Sequence, residues 1–99
     1  MNNEFVLEID KTVTKLTGNT LGRKIYDNQV APYIDFNSNM TFIFPKSIDL
    51  LGSSFIQGFF REIVKAISIR GVEEKVTVVS EIPNIKDIVI MSLLSKEGE

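Results

Sequence analysis

A single small α/β domain built on one strand–helix–strand unit is the fold class that the sequence predicts, and three observations carry it. Residues 40–44, Met-Thr-Phe-Ile-Phe, form an apolar run with almost no polar face, closed by Pro45; such a run is expected to be a strand buried on both sides. Behind it, Phe55, Ile56, Phe59, Phe60, Ile63, Val64 and Ile67 recur at helical spacing, while Gln57, Arg61, Lys65 and Ser68 fill the opposite stripe. Gly71 follows as a helix stop, and residues 75–80, Lys-Val-Thr-Val-Val-Ser, supply a β-branched run. Strand, crossover helix and parallel strand make a βαβ unit, expected to be right-handed. The predicted architecture is a small mixed sheet around this unit, with helices mainly on one side.

The remaining elements follow in chain order. Residues 5–9 alternate, with Phe5, Leu7 and Ile9 on one face, as an edge or near-edge strand does. Residues 17–20, Thr-Gly-Asn-Thr, are turn chemistry ending in an N-cap, so a helix should start near Leu21, carry Leu21, Ile25 and Val30 inward and stop before Pro32. Residues 33–36, Tyr-Ile-Asp-Phe, either continue that helix beyond the proline or pair as a hairpin with residues 40–44; the continuing helix is preferred, since a hairpin would make the next strand antiparallel. After the βαβ unit, Ile85, Ile88, Val89, Ser92 and Leu93 fall at spacings of three and four, with Asp87 in the first turn. These residues predict a terminal helix, a β-prone final strand being the rival. The tail, residues 96–99, should be loose.

Composition limits the function classes. Ninety-nine residues suffice for one core and one domain, 1–99, burying about two-thirds of the unfolded surface. With 43% hydrophobic and 24% charged residues the chain resembles an average soluble protein. No segment is long or apolar enough to span a bilayer, and Met-Asn-Asn-Glu at the start is no basic signal region, so a cytoplasmic location without membrane association is expected. There is no cysteine for disulfides or thiolate sites, and no histidine for a Ser-His-Asp triad, an HExxH zinc site or a proton shuttle near neutral pH. A net charge of −2 with dispersed lysines and arginines argues against nucleic acid as a partner.

Residues 18–24, Gly-Asn-Thr-Leu-Gly-Arg-Lys, fall one residue short of the GxxxxGK spacing and follow no apolar strand, so they are not a phosphate loop. Arg23 and Lys24 would then lie in the first helical turn, where a cation opposes the macrodipole. Glu73, Glu74 and Glu81 flank the Val76 strand with no further ligand and no EF-hand spacing, so a solubilising rim is expected there in preference to an acid/base pair or a cation site. Phe55, Phe59 and Phe60 belong to the core. Gly58 is costly inside a helix by about 1 kcal/mol, which points to close helix–sheet packing or to a flat docking surface. Ser54 and Gln57 have the Ser-x-x-Gln spacing of a capping box at the helix start. A hydroxyl there, just beyond the end of a central parallel strand, stands where open α/β sheets place their working groups.

Residues 42–60, with Phe44-Pro45 ending the strand and Gly52-Ser53-Ser54-Phe55 opening the helix, resemble the core motif of a STAS-like domain of unknown function found in small bacterial and phage proteins. Leu21-Gly22-Arg23 and Gly71 match further positions, and the likeness covers residues 21–94. That family is similar to the anti-sigma-factor antagonists, whose Asp-Ser-Ser-Gly segment aligns with Gly52-Ser53-Ser54-Phe55. The strand's usual Asp-Phe is Phe44-Pro45 here, and the antagonists' Asp before the serine pair is Gly52. The resemblance implies a STAS-like fold and a non-catalytic regulatory module that docks on a protein partner, an ATPase or kinase-like regulator. It makes Ser54 and Ser53 the phosphorylation candidates, and Arg23, Gly52, Ser53, Ser54, Gln57 and Gly58 the interaction surface. Without histidine, cysteine, nucleotide loop or clustered acid pair, an interaction module is expected and not an enzyme, with no cofactor and no metal. The alternative is a small-molecule or nucleotide binder that holds an anion at the helix N-termini near Arg23 and Ser54.

Overall fold

In the computed structural model, residues 3–95 are described, and the expected looseness of residues 96–99 lies outside them. Among the described residues, five strands and three helices follow in the order β1 (Glu4–Val6), β2 (Lys15–Leu16), α1 (Asn19–Gln29), β3 (Met40–Ile43), β4 (Leu50–Leu51), α2 (Ser53–Lys75), β5 (Val76–Val79) and α3 (Ile85–Leu94). The α/β class is as expected. The sheet is not mixed: β1, β3 and β5 pair in that order, all parallel, and β2 and β4 form a second, two-stranded parallel ladder. The N-terminal strand does lie at an edge, beside β3.

Register sets the two faces of the main sheet. Phe5, Phe42 and Val78 stand abreast, as do Val6, Ile43 and Val79 one residue on. Side chains alternate across a strand, so Phe5, Leu7, Met40, Phe42, Phe44 and Val76 point to one side, and all are buried. On the other side Thr41 and Ile43 are half-buried, while Val6 and Val79 are exposed. The expectation that residues 40–44 are buried on both faces fails because the helices cover one face alone.

Phe42 is the centre of the core. Its ring stacks on Phe5 at 5.5 Å and meets Phe59 and Phe60 edge-on at 5.3 and 5.8 Å. Phe55, Phe59 and Phe60 are thus core, as their spacing predicted.

Helix α1 starts earlier than its turn chemistry suggests. Gly18, at φ 94°, takes the N-cap, a left-handed position that favours glycine, so Thr20 is no cap and Arg23 and Lys24 fall in the second turn. Ile25 and Val30 are buried as expected, together with Gly22 and Tyr26, but Leu21 is exposed. Residues 33–36 neither continue α1 nor form a strand; 33 and 36 lie in turns, with irregular chain between them. Asn3, buried, fastens this loop: its Nδ2 donates to the carbonyls of Asp35 at 2.7 Å and Asn39 at 3.1 Å, and its Oδ1 accepts from the Asp35 amide.

Helix α2 does not end at Gly71. It bends at Ser68, whose backbone (φ 69°, ψ 171°) is non-helical, and runs on to Lys75, directly into β5. Ser68 Oγ accepts the Gly71 amide at 3.3 Å and so caps the second segment. At the far end, Lys86 Nζ donates to the carbonyls of Glu73 and Val76, a cation at a helix C-terminus. Residues 85–94 are helix, not strand, but Ile88 is exposed. Among the described residues no helix is long and apolar enough to cross a membrane.

Candidate functional site

The start of α2 is held by the small ladder of β2 and β4. The Asp49 amide donates to Thr14 O at 2.7 Å and the Gly52 amide to Leu16 O at 2.8 Å, with a Lys15–Asp49 ion pair of 2.8 Å alongside. Neither short strand carried a recognisable sequence signal, because two residues are too few for alternation to show. Paired as far as its own amide, the chain turns at Gly52, which is extended (φ −71°, ψ 153°) and serves as the N-cap of α2. Ser53 and Ser54 are therefore the first two helical residues, and both are exposed.

The capping box predicted for Ser54 and Gln57 does not form. Gln57 reaches away from the helix start: its Nε2 donates to Ser92 O on α3 at 3.0 Å. Ser53 Oγ lies 3.4 Å from Ser92 Oγ, and Ser95 Oγ donates to Ser92 O at 3.0 Å. Ser92 is thus the buried polar joint between α3 and the start of α2. Ser54 makes no side-chain hydrogen bond among the described residues, so capping does not explain the serine there.

Gly58 is not part of a surface. It is buried where α1 crosses α2, and a Cβ on it would come within 2.2 Å of Asn19 O; a Cβ on Gly22 would come within 2.3 Å of Phe55 O. The two glycines let the helix backbones touch, so the close packing is helix on helix and not helix on sheet. Arg23 is exposed on the outer side of α1, in a shallow depression shared with Thr20, Lys24 and Asp27. No hydrogen bond or ion pair joins it to the serine pair among the described residues. The structure therefore brings Gly52, Ser53, Ser54 and Gln57 together, places Gly58 beneath them, and sets Arg23 apart.

Two features next to the serines escaped sequence reasoning. α3 is apolar on both sides: Ile85, Val89 and Leu93 are buried, while Ile88, Met91 and Leu94 form an exposed stripe, with Met91 at 67% and Leu94 at 54% exposure. The signal was the continuous Ile-Val-Ile-Met run, which a one-sided surface helix does not need. The second is a cleft of about 400 Å³ between α2, the first residue of α1 and the end of α3, lined by Asn19, Gln57, Arg61, Val64, Lys65, Ile69 and Leu93. In the sequence Arg61 and Lys65 stand only as part of the stripe opposite the apolar face of the helix.

Among the described residues no three carboxylates lie close enough together to hold a metal ion. No family model, curated protein or solved structure matches the chain.

Proposed function

We propose that this protein is a non-catalytic regulatory module that docks on a protein partner through the start of α2 and the outer stripe of α3, with Ser54 as its phosphorylation switch. The observation that carries the reading is the apolar outer stripe of α3, Ile88, Met91 and Leu94, joined to Ser53 and Gln57 through Ser92. A helix with apolar residues on its outer as well as its inner side, lying on a molecular surface, has one face too many for its own core. The exposed hydroxyl of Ser54, free of any structural bond, is open to a kinase, and Gly52 leaves the turn beside it without a side chain. The resemblance of residues 42–60 to STAS-like domains and anti-sigma-factor antagonists supports the same reading, and favours an ATPase or kinase-like regulator as the partner in a bacterial or phage setting.

Phosphate on Ser54 adds about −1.5 to −2 charges at the positive end of α2, which leaves the fold intact. At an interface shaped for a neutral hydroxyl, the same charge must be desolvated, and binding is lost. The test is affinity capture from the source cell with mass spectrometry, followed by binding of the captured partner to Ser54→Asp and Met91→Lys. Both variants should melt like the parent chain, and both should lose the partner. Binding that survives either substitution counts against this docking face.

A further inference from the structure

We infer that the cleft between α2, the start of α1 and the end of α3 is a binding site for a small amphipathic anion, an apolar body with one carboxylate or phosphate head. Its volume of about 400 Å³ lies within the roughly 300–1,000 Å³ usual for small-molecule sites. Half-buried Val64 and Ile69 and buried Leu93 give it an apolar floor. Among the described residues its charge is of one sign. Although the chain carries 13 acidic residues against 11 basic, the described lining holds two cations, Arg61 and Lys65, and no carboxylate.

Arg61 has no ion-pair or hydrogen-bond partner among the described residues, and Lys65 is held only by half-buried Glu62 at 3.6 Å. A free guanidinium presents a planar fork of donors that takes a carboxylate or phosphate through two parallel hydrogen bonds. Asn19, the first residue of α1, adds the positive end of that helix to the same mouth. At the other end, Ile69 directly follows the strained Ser68, so costly backbone borders the site. A neutral apolar ligand would use the floor and leave both cations idle. A nucleic-acid strand would meet no aromatic platform among the described residues that line the cleft. The cleft shares Gln57 with the proposed docking face, but its test reads Arg61, whereas docking is read out through Ser54 and Met91.

The test is a titration of the ¹⁵N-labelled full chain, followed by amide chemical shifts, with sodium octanoate and with octyl phosphate below micelle formation. Inorganic phosphate supplies the head alone and 1-octanol the body alone. At least one of the two anions should shift the amides of Gln57, Arg61, Lys65 and Ile69 saturably, and the tighter one identifies the head group. Phosphate and octanol should bind at least about tenfold more weakly. Arg61→Glu, at an exposed position, should melt like the parent and lose about tenfold or more in affinity, whereas Arg61→Lys should lose less. Absence of saturable shifts with either anion, octanol binding as well as the anions, or an Arg61→Glu chain binding like the parent would each overturn the assignment.

Discussion

Ser68 and Asn84 are the non-glycine residues at positive φ among those described, and they differ in kind. Asn84, at φ 57° and ψ 33°, occupies the left-handed well that asparagine tolerates, just before α3. Ser68, at φ 69° and ψ 171°, sits in a region that is almost glycine's alone, at a cost of about 1–3 kcal/mol. Its hydroxyl returns part of this by capping the Gly71 amide, but that bond is exposed, and a glycine cap is only a few tenths of a kcal/mol poorer. Ser68→Gly should therefore stabilise the domain by about 1 kcal/mol, raising the melting temperature by about 4–8 °C. A lower melting temperature would show that the serine is not strained. Asp35 offers a second residue-scale test. Its carboxylate accepts the Asn37 amide at 2.9 Å and the Ser38 hydroxyl at 3.0 Å, and these bonds, the amide's first, hold its pKa below the ordinary aspartate value. A lowered folded pKa means that the contribution to stability is complete above the unfolded value, about 3.9, and is lost as pH falls through the folded one. Carboxyl NMR should find Asp35 titrating below an exposed aspartate, with Ser38→Ala moving it upward. An unshifted midpoint would remove the turn from the account of acid sensitivity.

At the scale of elements, the contact between α1 and α2 depends on what is missing from two side chains. Gly22 and Gly58 face each other's helix so closely that a Cβ on either would overlap the other backbone. Alanine favours a helix over glycine by about 1 kcal/mol, yet a forced separation of two packed helices costs about 1–3 kcal/mol or more. Gly58→Ala should thus be net destabilising by about 1 kcal/mol, read from urea denaturation with an unchanged m-value. A stabilised Gly58→Ala chain would mean that α1 is loosely held. The same contact shows where sequence reading succeeds and fails. The phenylalanine stripe of α2 was legible because seven apolar residues repeat at one period. The partner of Gly58 was not, because a glycine records that something comes close without saying what. Gly71 looked like a helix stop, but the break came at Ser68, where no composition signal exists. Ser54 and Gln57 had capping-box spacing, but Gly52 took the cap and the Ser92 carbonyl drew Gln57 away, a tertiary contact that local pattern cannot contain.

Across the whole molecule the main consequence is asymmetry. Parallel sheets normally carry helices on both faces, and this one carries them on one, so β3 has a core side and an open side within two consecutive residues. The apolar run at 40–44 could not reveal this, because Ile43 is as apolar as Phe42 and only the topology decides which is covered. The difference in energy should be large. Phe42, fully buried between Phe5, Phe59 and Phe60, leaves a cavity when cut to alanine, at about 3–5 kcal/mol. Domains of this size have about 5–15 kcal/mol in total, so Phe42→Ala should leave a chain near the edge of folding. Ile43, half-buried on the open face, keeps its β-branch in Ile43→Thr and loses little packing, so that variant should stay within about 1 kcal/mol of the parent. Both are read from urea midpoints at two protein concentrations. If Ile43→Thr costs as much as Phe42→Ala, and the loss shrinks on dilution of the parent, then a second copy covers the open face in solution. A large loss independent of concentration would mean that the exposed side of the sheet is packed within the monomer.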